Sequence, residues 1–120
     1  DLPVGHALVR WVGPRAETVR KDYPDCPEIY RLKVLKEYRE QGIATAIIKK
    51  CEQEALKREC VLIGLGTDPT ISSKDNLYKQ SGYGSSTVNR YIDTYKTRSD
   101  SGTVVTIRKD AQFLIKRIAS

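Results

Sequence analysis

Apolar residues fall in short bursts along the chain, and the spacing inside each burst predicts an element. Val4, Ala7, Leu8, Val9, Trp11 and Val12 are closed by Gly13-Pro14, which predicts a strand ending in a turn. Arg15 to Pro27 mixes charge with Pro24 and Pro27 and keeps no period, so it predicts a loop with at most a helical turn near Ala16 to Lys21. From Glu28 to Leu35, Tyr30, Leu32 and Val34 alternate with Ile29, Arg31 and Lys33, the two-residue period of a strand. Gly42 to Arg58 places Ala44, Ile47, Ile48, Cys51, Ala55 and Leu56 at helical spacings, with Lys49, Lys50, Glu52 and Glu54 opposite. Cys60 to Leu65 is a continuous apolar run ended by Gly66-Thr67-Asp68-Pro69, the pattern of a strand buried on both faces. Strand, helix, strand makes one right-handed crossover, so Glu28–Leu35 and Val61–Leu65 are expected to be parallel neighbours. A second helix, Ser73 to Ser81, ends at Gly82. Thr87–Lys96 and Ala111–Ile118 are expected as an antiparallel pair. Their long connection, Thr97–Asp110, carries Ser99-Asp100-Ser101-Gly102 and at most a short strand at Thr103–Ile107. The expectation is an α/β fold, a mixed sheet of about five strands with two helices, in a single domain spanning residues 1–120.

Composition narrows the chemistry. No apolar run approaches the ~20 residues that span a bilayer, so no membrane segment is expected. Asp1-Leu2-Pro3-Val4-Gly5 has neither an initiator Met nor the basic-then-apolar order of a signal peptide, and it reads as a trimmed chain. Twenty-one Lys and Arg against 15 Asp and Glu give a net charge of +6, which favours anionic partners. The basic residues are scattered and no aromatic-basic stripe accompanies them, which argues against nucleic acid. Cys26, Cys51 and Cys60 form no Cys-x-x-Cys pair and His6 is the only histidine, so no metal site is expected. An odd number of cysteines suits a reducing cytoplasm, with Cys51 and Cys60 as buried small hydrophobes and Cys26 in a loop.

The sharpest local feature lies between the second strand and the long helix. Lys36-Glu37-Tyr38-Arg39-Glu40-Gln41-Gly42-Ile43-Ala44-Thr45 feeds a strand through Arg-x-x-Gly-x-Ala into a helix. Unpaired amides converge at such a helix start and the helix dipole adds positive charge, which suits an anion. Gly42 leaves the backbone open to a phosphate, Ala44 keeps the first turn clear, and Arg39 supplies fixed charge. An ordinary strand-to-helix turn is the alternative. No Gly-Lys-Ser/Thr follows, which excludes a P-loop, and Gly64-x-Gly66 lacks the third glycine and the helix of a dinucleotide fingerprint.

Leu32-x-Val34 leading into Arg39-x-x-Gly42-x-Ala44, then the strand Val61–Leu65, then Tyr78-Lys79-Gln80-Ser81-Gly82-Tyr83 resemble, in that order and spacing, the GNAT superfamily of acyl-CoA N-acyltransferases. The resemblance runs from Val4-Gly5 to Ile118. It implies acetyl-CoA as cosubstrate, with its pyrophosphate in the loop of Arg39, Glu40, Gln41, Gly42, Ile43, Ala44 and Thr45. Its pantetheine arm would lie between the two splayed parallel strands, bonded to the backbone near Leu32, Lys33 and Val34 as an added strand is. Tyr78 fits the position whose hydroxyl protonates the departing thiolate. An amide near Val34 would stabilise the oxyanion. Glu28 stands where some members carry a base for the incoming ammonium, a water chain to bulk being the other route. Asn76 is expected against the CoA arm, although many relatives carry their Asn about seven residues before the Tyr, where Ile71 stands here.

Members of the family usually begin with a strand, two helices and another strand; this chain starts at the strand after those, so these N-terminal elements are expected to be missing. An uncovered Val4–Val12 would then be an exposed edge favouring a homodimer. The implied function is transfer of an acetyl group from acetyl-CoA to a primary amine by direct attack. A non-catalytic acyl-CoA-binding or sensor module is the alternative.

Overall fold

A computed structural model describes residues 5–39, 42–68 and 77–119. In chain order the elements are β1 (Gly5–Arg10), α1 (Glu17–Asp22), β2 (Glu28–Val34), a 3-10 turn (Lys36–Tyr38), α2 (Ile43–Lys57), β3 (Leu62–Thr67), a helical stretch at 77–80, β4 (Gly84–Ser85), β5 (Tyr91–Arg98) and β6 (Val104–Arg117). Together they form the expected α/β fold, a six-stranded mixed sheet in the order β1-β2-β3-β6-β4 with β5 paired to β6. β2 and β3 are parallel neighbours joined through α2, and the other pairings are antiparallel.

Both faces of the sheet are covered. On one, the apolar stripe of α2 sets Ile48 and Ala55 against Ile29, Ile63, Leu65, Tyr78, Tyr83 and Leu114. On the other, α1 sets Val19 against Cys26, Val88, Tyr91, Ala111 and Phe113. Burial of these side chains, at about 25 cal/mol per Å², holds the two layers to the sheet. Arg58 at the end of α2 stacks its guanidinium 4.0 Å from the Trp11 ring centroid, fastening that helix to the end of β1.

Strand β6 differs from the expectation. β5 pairs with the first half of β6, from Tyr91 opposite Ala111 to Arg98 opposite Val104, rather than with Ala111–Ile118. The stretch 97–110 is therefore no long connection. Ser99-Asp100-Ser101-Gly102 forms a tight hairpin turn, in which the Ser99 amide donates to the Thr103 carbonyl at 2.8 Å and Gly102 adopts φ +84°. Residues 112–117 of β6 run antiparallel to β3 instead, from Gln112 opposite Thr67 to Arg117 opposite Leu62. The pattern hid this because Thr94, Lys96, Arg108 and Asp110 keep one side of the hairpin polar and exposed or half-exposed.

Cysteine placement differs as well. Cys26 is the buried thiol, at 3% exposure, while Cys51 and Cys60 are half-buried at the margin of the core. Burial is the main reason the Cys26 thiol is pushed up to about 12, with the Glu28 and Cys60 charges adding to it. A thiol so held stays protonated and unreactive.

Candidate active site

Strands β2 and β3 pair only where Glu28 meets Gly64 and Ile29 meets Leu65. Past that point they part, although β2 continues to Val34 and β3 to Thr67. The cause is a bulge in β2. Against β1, the register runs Val9 to Ile29 and Leu8 to Tyr30, then resumes as His6 to Lys33 and Gly5 to Val34, with one extra residue on β2. Arg31 takes up the irregularity at φ +53°. The extra residue also shifts the phase, so Ile29 and Leu32 pack on the same core. The strict alternation expected for this strand, with Ile29 opposite Leu32, is overturned there.

The parted strands enclose a cavity of about 200 Å³ lined by Ile29, Tyr30, Arg31, Leu32, Leu65, Gly66, Thr67, Asp68, Tyr78 and Lys109. Tyr78 reaches it from the 77–80 helix, and the sequence after it explains why it is held there. Gly82 at φ +98° lets the Tyr83 amide donate back to the Tyr78 carbonyl and the Gly82 amide to the Lys79 carbonyl, both at 3.0 Å. This is a Schellman cap, which a Cβ at Gly82 would strain. Tyr83 then donates its hydroxyl to Glu52 Oε2 of α2 at 2.8 Å, and Lys116 Nζ lies 3.0 Å from Glu52 Oε1. The Tyr-x-x-x-Gly-Tyr spacing thus docks one helix end on another. Burial holds the Tyr78 hydroxyl above the usual phenol range, so it stays a proton donor.

Thr67 is a residue that sequence reasoning missed as a site residue. It is buried at 6% exposure, lines the cavity, and its Oγ1 has no hydrogen-bond partner among the described residues. A buried hydroxyl without a partner costs about 1–3 kcal/mol, so its place at a cavity wall suits a ligand group.

At the start of α2, Gly42 occupies the N-cap at φ +77°, no side chain among the described residues caps the helix, and no acidic residue stands in the first turn. A Cβ at Gly42 would meet nothing within 4 Å among the described residues, so within the fold glycine is required there by its positive φ. The first intrahelical bond runs from the Ala46 amide to the Gly42 carbonyl, ahead of which the amides of Ile43, Ala44 and Thr45 open the helix. Arg39 folds back, its Nε donating to the Val34 carbonyl at 3.1 Å. That contact braces the loop against the end of β2. Of the remaining expected cofactor residues, Leu32 lines the gap, Thr45 lines a second cavity of about 370 Å³ between α2 and the 77–80 helix, and Lys33 and Val34 lie in the β1-paired end of β2. Glu40, Gln41 and Asn76 fall outside the described residues.

Glu28 lies on the opposite face. It is buried at 8% exposure and accepts the Arg15 amide on Oε1 at 3.1 Å. Burial raises its pKa, opposed by that hydrogen bond and by the charge of Arg15. The Arg15 guanidinium pairs with Asp93 and stacks 5.3 Å from the Tyr95 ring centroid. Arg10, opposite Glu28 on β1, stacks 5.2 Å from the Tyr30 centroid, and its buried Nε has no hydrogen-bond partner among the described residues. The gap therefore has Tyr78 and Thr67 on its α2 side, while Glu28 stands on the far face of the sheet at the paired end of β2 and β3, among arginines and tyrosines and outside the cavity lining. Among the described residues there is no cluster that could hold a metal ion and no helix long and apolar enough to cross a membrane.

Comparison with known proteins agrees with this geometry. A family model described as the acetyltransferase (GNAT) family matches residues 2–83. No curated protein matches the chain. Among solved structures, the ribosomal-protein-S18-alanine N-acetyltransferase from Escherichia coli is 21% identical, with a TM-score of 0.57 over 78% of this chain and 55% of that one. An acetyltransferase from Elizabethkingia anophelis with acetyl-CoA bound is 17% identical, with a TM-score of 0.58 over 77% of this chain and 60% of that one. The NatC complex bound to Gag peptide and CoA is 21% identical, with a TM-score of 0.63 over 98% of this chain and 62% of that one. The chain thus spans 55 to 62% of the length of these structures.

Proposed function

The chain belongs to the GNAT acetyltransferase family, and from that premise we propose that residues 1–120 act as one acetyltransferase domain moving an acetyl group from acetyl-CoA to a primary amine by direct attack. The observation that carries this is the gap itself: two parallel strands that pair at two positions and then part, with Tyr78 in the cavity wall and an uncapped helix opening at the end of β2. The residues present fit a CoA-type ligand. Thr67 Oγ1 is a buried group with no partner among the described residues, β2 and β3 leave facing main chain unpaired by one another, and the first amides of α2 face no carboxylate in their own turn.

When bound, acetyl-CoA supplies an acyl carbon activated as a thioester. The amides of Ile43, Ala44 and Thr45 hold the diphosphate through hydrogen bonds and the helix dipole, with Gly42 providing clearance. Leu32 and the main chain of β2 hold the pantetheine arm as an added strand is held, and Thr67 donates its hydroxyl to that arm. Tyr78 delivers its proton to the sulfur as the carbon–sulfur bond breaks. An alkyl ammonium of pKa about 10.4 must first lose a proton, and the Glu28 carboxylate takes it; the freed lone pair then bonds the acyl carbon, and the second proton the nitrogen sheds as the carbon–sulfur bond breaks balances the one Tyr78 gives to sulfur. Arg15 keeps Glu28 in place, since its amide holds Oε1.

The test is release of free CoA from acetyl-CoA with an alanine-initiated tetrapeptide, lysine and spermidine as acceptors, beside the shift in melting midpoint caused by acetyl-CoA. Release that depends on an amine supports acetyl transfer. A melting shift without release for any amine would favour the non-catalytic acyl-CoA-binding module, and no shift at all would remove both.

A further inference from the structure

The Gly64-x-Gly66 pair, which matches no phosphate-binding fingerprint, has a structural use on the face away from α2. A Cβ at Gly64 would sit 2.5 Å from the Phe113 ring, so that glycine lets Phe113 pack onto the strand. Gly66 does the same for a polar atom. A Cβ there would sit 2.3 Å from the Tyr91 hydroxyl oxygen and 3.9 Å from Glu28 Oε2. Both oxygens thus flank one point on β3, and Gly66 lines the cavity between the parted strands. Tyr91 is buried at 7% exposure and is carried to that point by its place opposite Ala111, at the end of the β5–β6 pairing.

We propose that Tyr91 is a substrate-contacting residue of the amine side, its phenolic oxygen, seated over Gly66 at the edge of the cavity, receiving the acceptor ammonium and presenting it to Glu28. This rests on the acetyl-transfer reading above. One N–H of the ammonium gives its proton to the Glu28 carboxylate, and the electron pair stays on nitrogen as the lone pair that attacks. A second N–H donates to the Tyr91 oxygen, and the phenol keeps its own proton throughout. Burial, reinforced by the charges of Glu28 and Asp93, holds this hydroxyl protonated.

Steady-state CoA release by the full chain, with the alanine-initiated tetrapeptide, lysine and spermidine, compares the parent with Tyr91→Phe, Gly66→Ala and the double variant. Tyr91→Phe is expected to raise the amine KM about 10-fold, the loss of one hydrogen bond to a charged group, with the acetyl-CoA KM and the melting midpoint unchanged. Gly66→Ala drives the phenol out and is expected to raise the amine KM similarly while lowering the midpoint. In the double variant the clash is gone, so the midpoint recovers while the amine KM stays high. A merely structural tyrosine predicts the opposite, recovery of both. An amine KM unchanged in Tyr91→Phe overturns the inference alone, and it decides the matter even if Gly66→Ala fails to fold. A parent that releases CoA with none of the amines overturns the acetyl-transfer reading and this inference together.

Discussion

The two sides of the gap between β2 and β3 are built from different materials. On the α2 side the polar groups are main-chain amides at a helix start, a phenol locked by a Schellman cap, and the Thr67 hydroxyl, which has no partner among the described residues. On the far side they are side chains of opposite charge: Glu28 and Asp93 against Arg10 and Arg15, with Tyr30, Tyr91 and Tyr95 between them. The first set suits a long anionic ligand recognised by its backbone-like shape, the second a cation that must be placed and deprotonated. A sheet with one opening separates these tasks, because a bulge parts the strands without interrupting the core beneath them.

The strongest way to break this comparison is at Tyr78. Tyr78→Phe is expected to lower the rate of CoA release about 10³-fold while the acetyl-CoA-induced melting shift persists. An unchanged rate would remove the proton donor from the α2 side.

Glu28 tests the far side. Glu28→Gln is expected to slow turnover about 10²-fold and to abolish the rise in rate as the carboxylate ionises, which in the parent lies above the ordinary carboxylate range. The groups facing this carboxylate are Arg10 from β1, Arg15 after it, Cys26 before β2, and Tyr91 and Asp93 from β5. Stability moves the other way. Because the folded pKa exceeds the unfolded one, near 4.3, the proton-bound form is favoured in the folded state. That contribution is full below the unfolded value and is lost as pH rises through the folded value. Thermal melts should therefore show Glu28→Gln level with the parent in acid and equal to it or higher at neutral pH. A Gln variant that is less stable only at neutral pH would contradict the burial cost.

Gly82→Ala separates architecture from chemistry on the α2 side. Forcing a Cβ into φ +98° costs about 1 kcal/mol, a drop of a few degrees in melting midpoint, and the amine KM should not move. The 3.1 Å approach to Lys116 Cε adds little, since that side chain can yield. The smallest effect belongs to Thr67→Val. Removing the unpartnered hydroxyl should leave the ligand-free midpoint equal or slightly raised and weaken acetyl-CoA about 5-fold, read as the acetyl-CoA KM. A lower midpoint with an unchanged KM would assign Thr67 to the core instead.

The α2 helix, the parallel strands flanking it and the Tyr78–Gly82–Tyr83 spacing were all legible, because each is a local pattern: a helical stripe, an apolar run, a glycine where a cap needs positive φ. The bulge was not. Its trace is that Ile29 and Leu32, three apart in a strand, share a core, and nothing in a period-two pattern flags Arg31 as the residue with positive φ. The hairpin at 99–103 was hidden for a related reason, since a half-exposed strand pair carries a weak apolar signal.

By itself the sequence determined the elements that short-range physics governs, and with them the crossover unit and the positions of Tyr78 and Glu28 along the chain. Only the tertiary structure decided that β2 and β3 part after two pairs, that β6 runs on to lie beside β3, that Thr67 lines the opening and that the Tyr91 hydroxyl rests over Gly66. Register and close approach depend on which residues oppose one another across strands far apart in the chain, and a missing Cβ such as that of Gly66 gains its meaning only from the atom that fills the space.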